Sequence, residues 1–306
     1  MNPSSPLSIE RPAAGPSQCF RLKTVKWPPT LNVLRSGTSG PTLVFLPGLG
    51  GTTRYWQGRL GALEQSHRLL MVDPLGFGDS PKPWTRYTID RHIEALYQTL
   101  KGERTFTLVG HSMGTLLSVA YAARHPEQVE RLVLLSLPYF GGKDKAIEYF
   151  RTGPRMNWFL TNMTLAAIIC ILSRRVFAWL VPYLQPDLPR EVAADIVKHS
   201  WRSFTSSLWE VIYNYDVDRD AGALSTRIPV FCLHGDRDAT APLDGVLDLA
   251  RGRPNWKVQV LPGVDHHPLL RAPEGCQRAI ASGSASDSLA IETARTVSVG
   301  AFVKAR

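Results

Sequence analysis

Short apolar runs that alternate with helical segments constrain the fold of this chain more than any other feature of its sequence. Each run is bounded by glycine or proline, as a strand buried on both faces would be. Helical segments lie between most of the runs, for example at 89–100 and 113–124. This alternation predicts an α/β fold, a mainly parallel sheet with helices on both faces. The predicted strands are 42–46, 69–72, 106–109, 132–135, 230–233 and 258–261.

The domain organisation follows from one break in this alternation, because the residues between 135 and 230 have a helical pattern throughout. We expect a helical cap at 139–226 over the carboxyl edge of the sheet, with a separate small helical domain as the alternative. The α/β core then comprises 20–138 and 227–306, with an unassigned tail at its end. Residues 1–19, rich in proline and serine, are expected to form a flexible arm. An opening antiparallel pair is predicted at 20–26 and 31–35.

Composition and charge exclude several classes of protein. The chain has 306 residues, 44% hydrophobic and 20% charged, which is typical of a soluble globular protein. Its net charge of +9 is spread along the sequence without a basic cluster, so nucleic acid is not an expected partner. The four cysteines form no CxxC pair, which argues against a disulfide framework and a zinc site. The start of the chain lacks a secretory pattern, so a cytoplasmic location is expected.

The most apolar stretch, 165–172, is too short to cross a bilayer, which needs about 20 apolar residues. We expect a buried or substrate-facing helix here, and a helix lying on a membrane surface is the alternative. No pattern in the sequence specifies an oligomeric state.

The sequence Gly110-His111-Ser112-Met113-Gly114 stands directly between a predicted strand and a predicted helix. This is a G-x-S-x-G motif in the context that it needs, because small residues must flank a serine held on so tight a turn. The amino end of the helix would stabilise negative charge that develops beside the serine. Ser112 is therefore the predicted nucleophile.

A serine nucleophile needs a histidine base held by a carboxylate, in the chain order Ser, Asp, His. The predicted strand 230–233 is followed by Asp236 and Asp238, and the strand 258–261 is followed by His266 and His267. Parallel strands bring their carboxyl ends to one edge of the sheet, where all these side chains would meet. The residues by themselves leave both choices open.

A glycine-rich segment, 47–51, follows the first predicted buried strand. Its backbone can approach a ligand closely, so Gly48 is a candidate substrate-binding residue, and the N–H groups of Leu49 and Met113 are the candidate oxyanion hole. The segment has neither the Lys-Ser/Thr ending of a P-loop nor GxGxxG spacing, which argues against nucleotide binding.

Taken together, these motifs resemble the α/β-hydrolase family, in its lid-bearing, esterase-like branch, over roughly 20–275. The matching stretches are LPGLGG, DPLGFGDS, GHSMG, HGDRDATAP and GVDHHPLLRAPE. The resemblance selects Asp238, the acid of the G-x-x-D arrangement, and His266, which stands two residues before a proline. It also implies that Asp73 and Asp79 are structural. Many relatives carry His-Gly where this chain has Pro47-Gly48.

The expected activity is hydrolysis of a carboxylic ester or thioester of a hydrophobic small molecule, through an acyl-enzyme on Ser112 and without a metal or other cofactor. The alternatives are another reaction on the same triad, such as carbon-carbon bond hydrolysis or a transfer or lyase step, and a non-catalytic ligand receptor. Aromatic side chains of the predicted cap are candidates either for substrate contact or for core packing. They are Trp158, Phe159, Phe177 and Trp179.

Overall fold

The computed structural model describes residues 26–153, 158–176, 179–180, 183 and 188–282. Its centre is a seven-stranded sheet in the order β1-β3-β2-β4-β5-β6-β7. β1 pairs antiparallel with β3, and all other neighbouring strands are parallel. The strands are β1 (Val33–Ser36), β2 (Thr42–Leu46), β3 (Arg68–Val72), β4 (Phe106–His111), β5 (Val129–Leu135), β6 (Val230–Gly235) and β7 (Trp256–Leu261).

Helices occupy most of the connections between the strands. Those of the core are α1 (Gly61–Glu64), α2 (Ile89–Leu100), α3 (Met113–Arg124), α9 (Leu243–Ala250), α10 (Pro268–Arg271) and α11 (Pro273–Ser282). Those between β5 and β6 are α4 (Lys143–Thr152), α5 (Met163–Arg175), α6 (Arg190–Asp195), α7 (Trp201–Ser207) and α8 (Val217–Ala223), with a π-helical turn, Leu208–Tyr213, continuing α7.

Two apolar layers cover the sheet because successive side chains of a strand point to opposite faces. Val44 and Leu46 of β2 belong to the layer covered by α2, α3, α8 and α9. Leu43 and Phe45 belong to the layer covered by α1 and α11. Successive residues of these strands are apolar because both faces of the sheet are buried, and these are the apolar runs from which the strands were predicted.

The order of the strands fixes where a ligand can bind. β2 lies between β3 and β4, so the direction in which strands are added reverses at the β2/β4 boundary. Crevices in open α/β sheets form at the carboxyl ends of the strands on either side of such a point. The segment 47–51 follows β2 and Ser112 follows β4, so both lie at this boundary.

The α/β prediction and all six predicted strands are confirmed, and α2 and α3 have the predicted bounds. Residues 33–36 pair antiparallel with β3 at the edge of the sheet. The predicted pairing of 31–35 with 20–26 stays a prediction. The predicted arm and residues 20–25 of that pair lie outside the described residues. A helix, α11, follows Pro273, and the tail from 283 onward also lies outside them.

Candidate active site

Ser112 occupies a strained turn between β4 and α3. Its backbone has φ 50° and ψ −120°, a conformation that residues other than glycine rarely adopt. Its N–H donates to the carbonyl oxygen of Leu135 at 2.9 Å, which ties the turn to β5. A Cβ on Gly114 would overlap the carbonyl oxygen of Leu46, and one on Gly110 would lie 2.5 Å from that of Gly114. Both flanking glycines are therefore required by close packing of the backbone.

A chain of hydrogen bonds joins three side chains from distant parts of the sequence. The Oγ atom of Ser112 lies 2.9 Å from Nε2 of His266. Nδ1 of His266 lies 2.8 Å and 3.0 Å from the two carboxylate oxygens of Asp238. With the proton of the ring on Nδ1, Nε2 accepts from the hydroxyl group, which is the arrangement in which a serine proton can pass to an imidazole.

The Asp238 carboxylate is buried, but several groups of the protein donate hydrogen bonds to it. Its Oδ1 atom accepts hydrogen bonds from the N–H groups of Thr240 and Ala241, at 2.9 Å and 2.8 Å. Burial opposes ionisation, but the bonds from His266 and Ala241 outweigh it and hold the pKa of Asp238 below its ordinary value. The ring of His234, 3.6 Å away, adds to this effect. Asp238 is thus an anion that can orient an imidazole.

Asp236 and His267, the alternative candidates for the acid and the base, make different contacts. Asp236 is exposed and accepts a hydrogen bond from the N–H of Gly263 at 2.6 Å, which joins the loops after β6 and β7. The ring of His267 lies beside Tyr55 and His111, with centroid distances of 5.9 Å and 5.3 Å. The hydrogen-bond chain from Ser112 therefore runs through His266 and Asp238.

The segment 47–51 lies directly against the serine. A Cβ on Gly48 would be 3.0 Å from Cβ of Ser112 and 3.5 Å from its Oγ. Within the described residues, neither the Leu49 N–H nor the Met113 N–H donates a hydrogen bond. Both groups therefore remain available to an anion beside Ser112.

His111 is a residue of the site to which the sequence alone assigned no role. Its buried ring donates from Nε2 to the backbone carbonyl oxygen of His266 at 2.8 Å. Burial, followed by the neighbouring His266 and His267, lowers the pKa of His111 well below its ordinary value. The sequence shows a histidine next to the serine in GHSMG, but the hydrogen-bond partner of this histidine is a backbone atom 155 residues away, which no local pattern indicates.

The helical segment between β5 and β6 contacts the glycine segment. Oγ1 of Thr52 donates to the buried carboxylate of Asp195 at 2.9 Å. A Cβ on Gly50 would lie 3.7 Å from the Phe204 ring and from the carbonyl oxygen of Ile196. Residues 195–204 therefore cover one side of the candidate site.

The aromatic candidates for substrate contact differ in their exposure. Trp158 and Trp179 are 53% and 70% exposed, and Phe159 is partly exposed. Phe177 lies outside the described residues. A role of these side chains in binding a substrate stays a prediction.

Asp73 is a structural residue of the neighbouring loop. Its carboxylate accepts hydrogen bonds from Nδ2 of Asn32 and from the N–H groups of Thr53 and Asp79, at 2.6–2.8 Å. These bonds join the residue before β1, the short 3-10 helix Thr53–Tyr55 and the 73–80 loop.

Two features are absent from the part of the chain that the structure describes. No group of three or more histidine, cysteine, aspartate or glutamate side chains is placed to hold a metal ion there. No helix in that part of the chain is long and apolar enough to cross a bilayer. The cytoplasmic location stays a prediction.

The order of the strands and the serine turn at the sheet's carboxyl edge define an α/β hydrolase. The sequence model described as "alpha/beta hydrolase fold" matches residues 41–273. The chain belongs to the α/β-hydrolase fold family.

Relatives of known name are similar to most of this chain. "Probable lysophospholipase BODYGUARD 4" of Arabidopsis thaliana is 26% identical over a 252-residue alignment, and the match covers 74% of this chain but only 60% of the plant protein. "Lipase 3" of Moraxella sp. (strain TA144) is 28% identical over 246 residues, 76% of this chain and 74% of that protein. The solved structure of a thermophilic esterase from Thermogutta terrifontis has a TM-score of 0.65 at 20% identity, covers 82% of this chain and 91% of that one, and supports the fold alone.

Proposed function

We propose that this protein is a serine hydrolase that cleaves a carboxylic ester of a hydrophobic small molecule through an acyl-enzyme on Ser112. The observation that supports the proposal is the hydrogen-bond chain from Oγ of Ser112 through both nitrogens of His266 to Asp238. An alcohol is a weak nucleophile until a base removes its proton, and this chain supplies the base and the anion that orients it.

In the proposed first step, Oγ of Ser112 attacks the ester carbonyl carbon while its proton moves to Nε2 of His266. The carbonyl oxygen becomes an anion and accepts hydrogen bonds from the N–H groups of Leu49 and Met113. The tetrahedral intermediate then breaks its bond to the alcohol, which leaves with the proton from His266. A water molecule, deprotonated by the same ring, releases the acid and restores Ser112.

The proposed substrate class rests on the apolar surroundings of the site. Residues 195–204 bring Phe204 and Ile196 against the glycine segment, so groups attached to the ester carbonyl would meet apolar side chains. The names lipase and probable lysophospholipase of two relatives support an ester with a hydrocarbon chain. We further propose that residues 139–226 act as a cap whose inner surface selects this chain.

Labelling with a fluorophosphonate tests the nucleophile. The reagent should modify the wild-type protein and leave Ser112→Ala unmodified, with Ser136→Ala as the matched control. Ser136 is a buried serine at the end of the next strand, and it also has a positive φ of 53°. Labelling that persists in Ser112→Ala would contradict the assignment.

A series of p-nitrophenyl esters of increasing chain length tests the substrate class. We expect kcat/KM to rise with chain length, because each buried methylene group contributes about 0.8 kcal/mol. Labelling at Ser112 without turnover of any ester would favour carbon-carbon bond cleavage or a transfer reaction on the same triad. Absence of both labelling and turnover would favour a ligand receptor.

A further inference from the structure

Helix α5 exposes its apolar side and buries a narrow stripe of small residues. Of its thirteen residues, only Ala166 and Cys170 are buried. On the other side of the helix, Ile168, Ile171 and Leu172 are 47%, 38% and 44% exposed. A helix at the surface of a globular protein normally has the reverse arrangement, with polar residues toward water.

The exposed apolar surface continues beyond α5. Ile171 and Arg175 line one surface pocket together with Trp201, which stands at the start of α7. The Trp201 ring contacts that of Trp84 edge to face, with centroids 6.2 Å apart. Trp84 is 78% exposed, and the guanidinium of Arg202 lies over its ring at 3.6 Å. We call these residues, with Ile168, Leu172 and Val176, the α5 face.

The charged side chains on and next to the apolar part of this surface are all positive. Residues 158–176 contain no aspartate or glutamate, and Arg174 and Arg175 end the helix. Arg174 donates from Nη1 to the carbonyl oxygen of His199, whereas Arg175 is exposed. Arg202 adds a third positive charge next to the two tryptophans. Apolar side chains bordered by tryptophan and arginine are the combination that binds an interface between hydrocarbon and anionic headgroups.

We propose that the α5 face docks on the surface of a membrane that contains anionic phospholipids. The helix lies in the plane of the interface: Ile168, Ile171 and Leu172 enter the hydrocarbon boundary. Trp84 and Trp201 lie at the level of the headgroups, where amphipathic rings are favoured. Arg175 pairs with phosphate.

This placement has a consequence for the candidate active site. α5 packs against α7, and α7 carries Phe204, which contacts the glycine segment at Gly50. One helix therefore separates the membrane-facing side chains from the segment next to Ser112. The docking proposal itself rests on the surface of α5 and holds whether or not Ser112 is the nucleophile.

Vesicle sedimentation tests the proposal with the wild-type protein. Vesicles of ether-linked phosphatidylcholine are compared with vesicles in which part of the lipid is ether-linked phosphatidylglycerol. Ether lipids carry no acyl ester, so binding cannot be confused with turnover. We expect tight binding to the anionic vesicles and weak binding to the neutral ones, and the difference should shrink as salt screens the charges.

Two variants remove the two parts of the interaction. The double change Ile171→Gln with Leu172→Gln keeps helix-forming residues and should weaken binding to anionic vesicles by about tenfold or more. Arg175→Gln should weaken binding to these vesicles by about fivefold and leave binding to neutral vesicles unchanged. The matched controls are on α2 and its end: Tyr97→Gln, a residue 39% exposed, and Lys101→Gln, an exposed cation. Both should bind like the wild type, and unchanged thermal unfolding shows that each variant is folded.

Three results would overturn the proposal. The first is equal binding of the wild-type protein to neutral and anionic vesicles, or to neither. The second is wild-type binding by the double variant. The third is that the wild-type protein is a dimer by light scattering and the double variant is a monomer. This result would assign the α5 face to a second copy of the chain. Fluorophosphonate labelling, measured in parallel, reports on the proposed function separately.

Discussion

The imidazole of His111 donates a hydrogen bond from Nε2 to the backbone carbonyl oxygen of His266 across 2.8 Å. The same ring stacks on Tyr55, with centroids 4.5 Å apart and planes inclined by 17°. The residue before Ser112 therefore holds the loop that carries the candidate base. Since His266 reaches Ser112 through a bond of 2.9 Å, the position of this loop decides whether a proton can be transferred.

Replacing His111 with phenylalanine should remove this bond and keep a ring that stacks on Tyr55. We expect kcat for an ester substrate to fall about tenfold while KM changes little, because the base is displaced and the substrate pocket is not. Steady-state kinetics on a p-nitrophenyl ester measure both constants. Tyr55→Phe is the control, since the buried Tyr55 hydroxyl has no hydrogen-bond partner among the described residues. An unchanged kcat in His111→Phe would refute the positioning role.

The acid can be assigned by comparing Asp238→Asn with Asp236→Asn. Asparagine at 238 removes the charge that fixes the His266 ring, and kcat should fall by about 10⁴-fold, as loss of the carboxylate does in other triads. Asparagine at the exposed position 236 retains an oxygen that can accept from the Gly263 N–H, and kcat should stay near the wild-type value. Equal losses in the two variants would contradict the assignment.

Stability should fall as the pH falls below about 6.5, because buried histidines stay neutral in the folded protein. Burial lowers the pKa of His92 to about 3. Between an unfolded pKa of about 6.5 and this value, only the unfolded state binds the proton, so each such group reduces the unfolding free energy by about 1.4 kcal/mol per pH unit. The contribution is fully present above pH 6.5. His199 and His267, with pKa values lowered by burial to about 4 and about 3, act in the same direction.

Urea unfolding of His92→Gln at several pH values measures this contribution. The variant lacks the titrating ring, so between about pH 6 and pH 4 its stability should decline less steeply than that of the wild type, by about 1.4 kcal/mol per pH unit. Ser207→Ala is the matched control because it removes the hydroxyl 3.0 Å from Nε2 of His92 and leaves the titrating group. The unfolding free energy of Ser207→Ala should be lower than that of the wild type, but it should depend on pH with the same slope. Identical slopes in all three proteins would disprove the prediction.

Gly114→Ala should destabilise the protein although alanine is the better helix former. Helix propensity alone favours alanine by about 1 kcal/mol. The added methyl group would overlap the Leu46 carbonyl oxygen, and we expect a net loss of about 3 kcal/mol or failure to fold. Gly61→Ala, also in a helix but with open space at its Cβ, should be neutral or stabilising. If Gly114→Ala unfolds at the same urea concentration as the wild type, the packing argument is contradicted.

Local patterns were sufficient for the strands and for the serine turn. The apolar runs and the helical spacing predicted β2 to β7, α2 and α3, because a strand buried on both faces must be apolar throughout. The G-x-S-x-G motif identified the turn because its backbone geometry excludes larger residues. The choice between Asp236 and Asp238, and between His266 and His267, required the family resemblance, since both members of each pair follow the same strand.

The sequence by itself determined the fold class, the position of the serine turn and the loops from which an acid and a base would come, since these depend on neighbouring residues. Only the tertiary structure decided that β1 pairs with β3, that His111 supports the His266 loop and that α5 exposes its apolar side. The first two depend on a partner that a backbone group or side chain meets across more than thirty residues of chain. The third depends on how α5 packs against α7. Periodicity describes which face of an element is apolar, and packing decides what that face contacts.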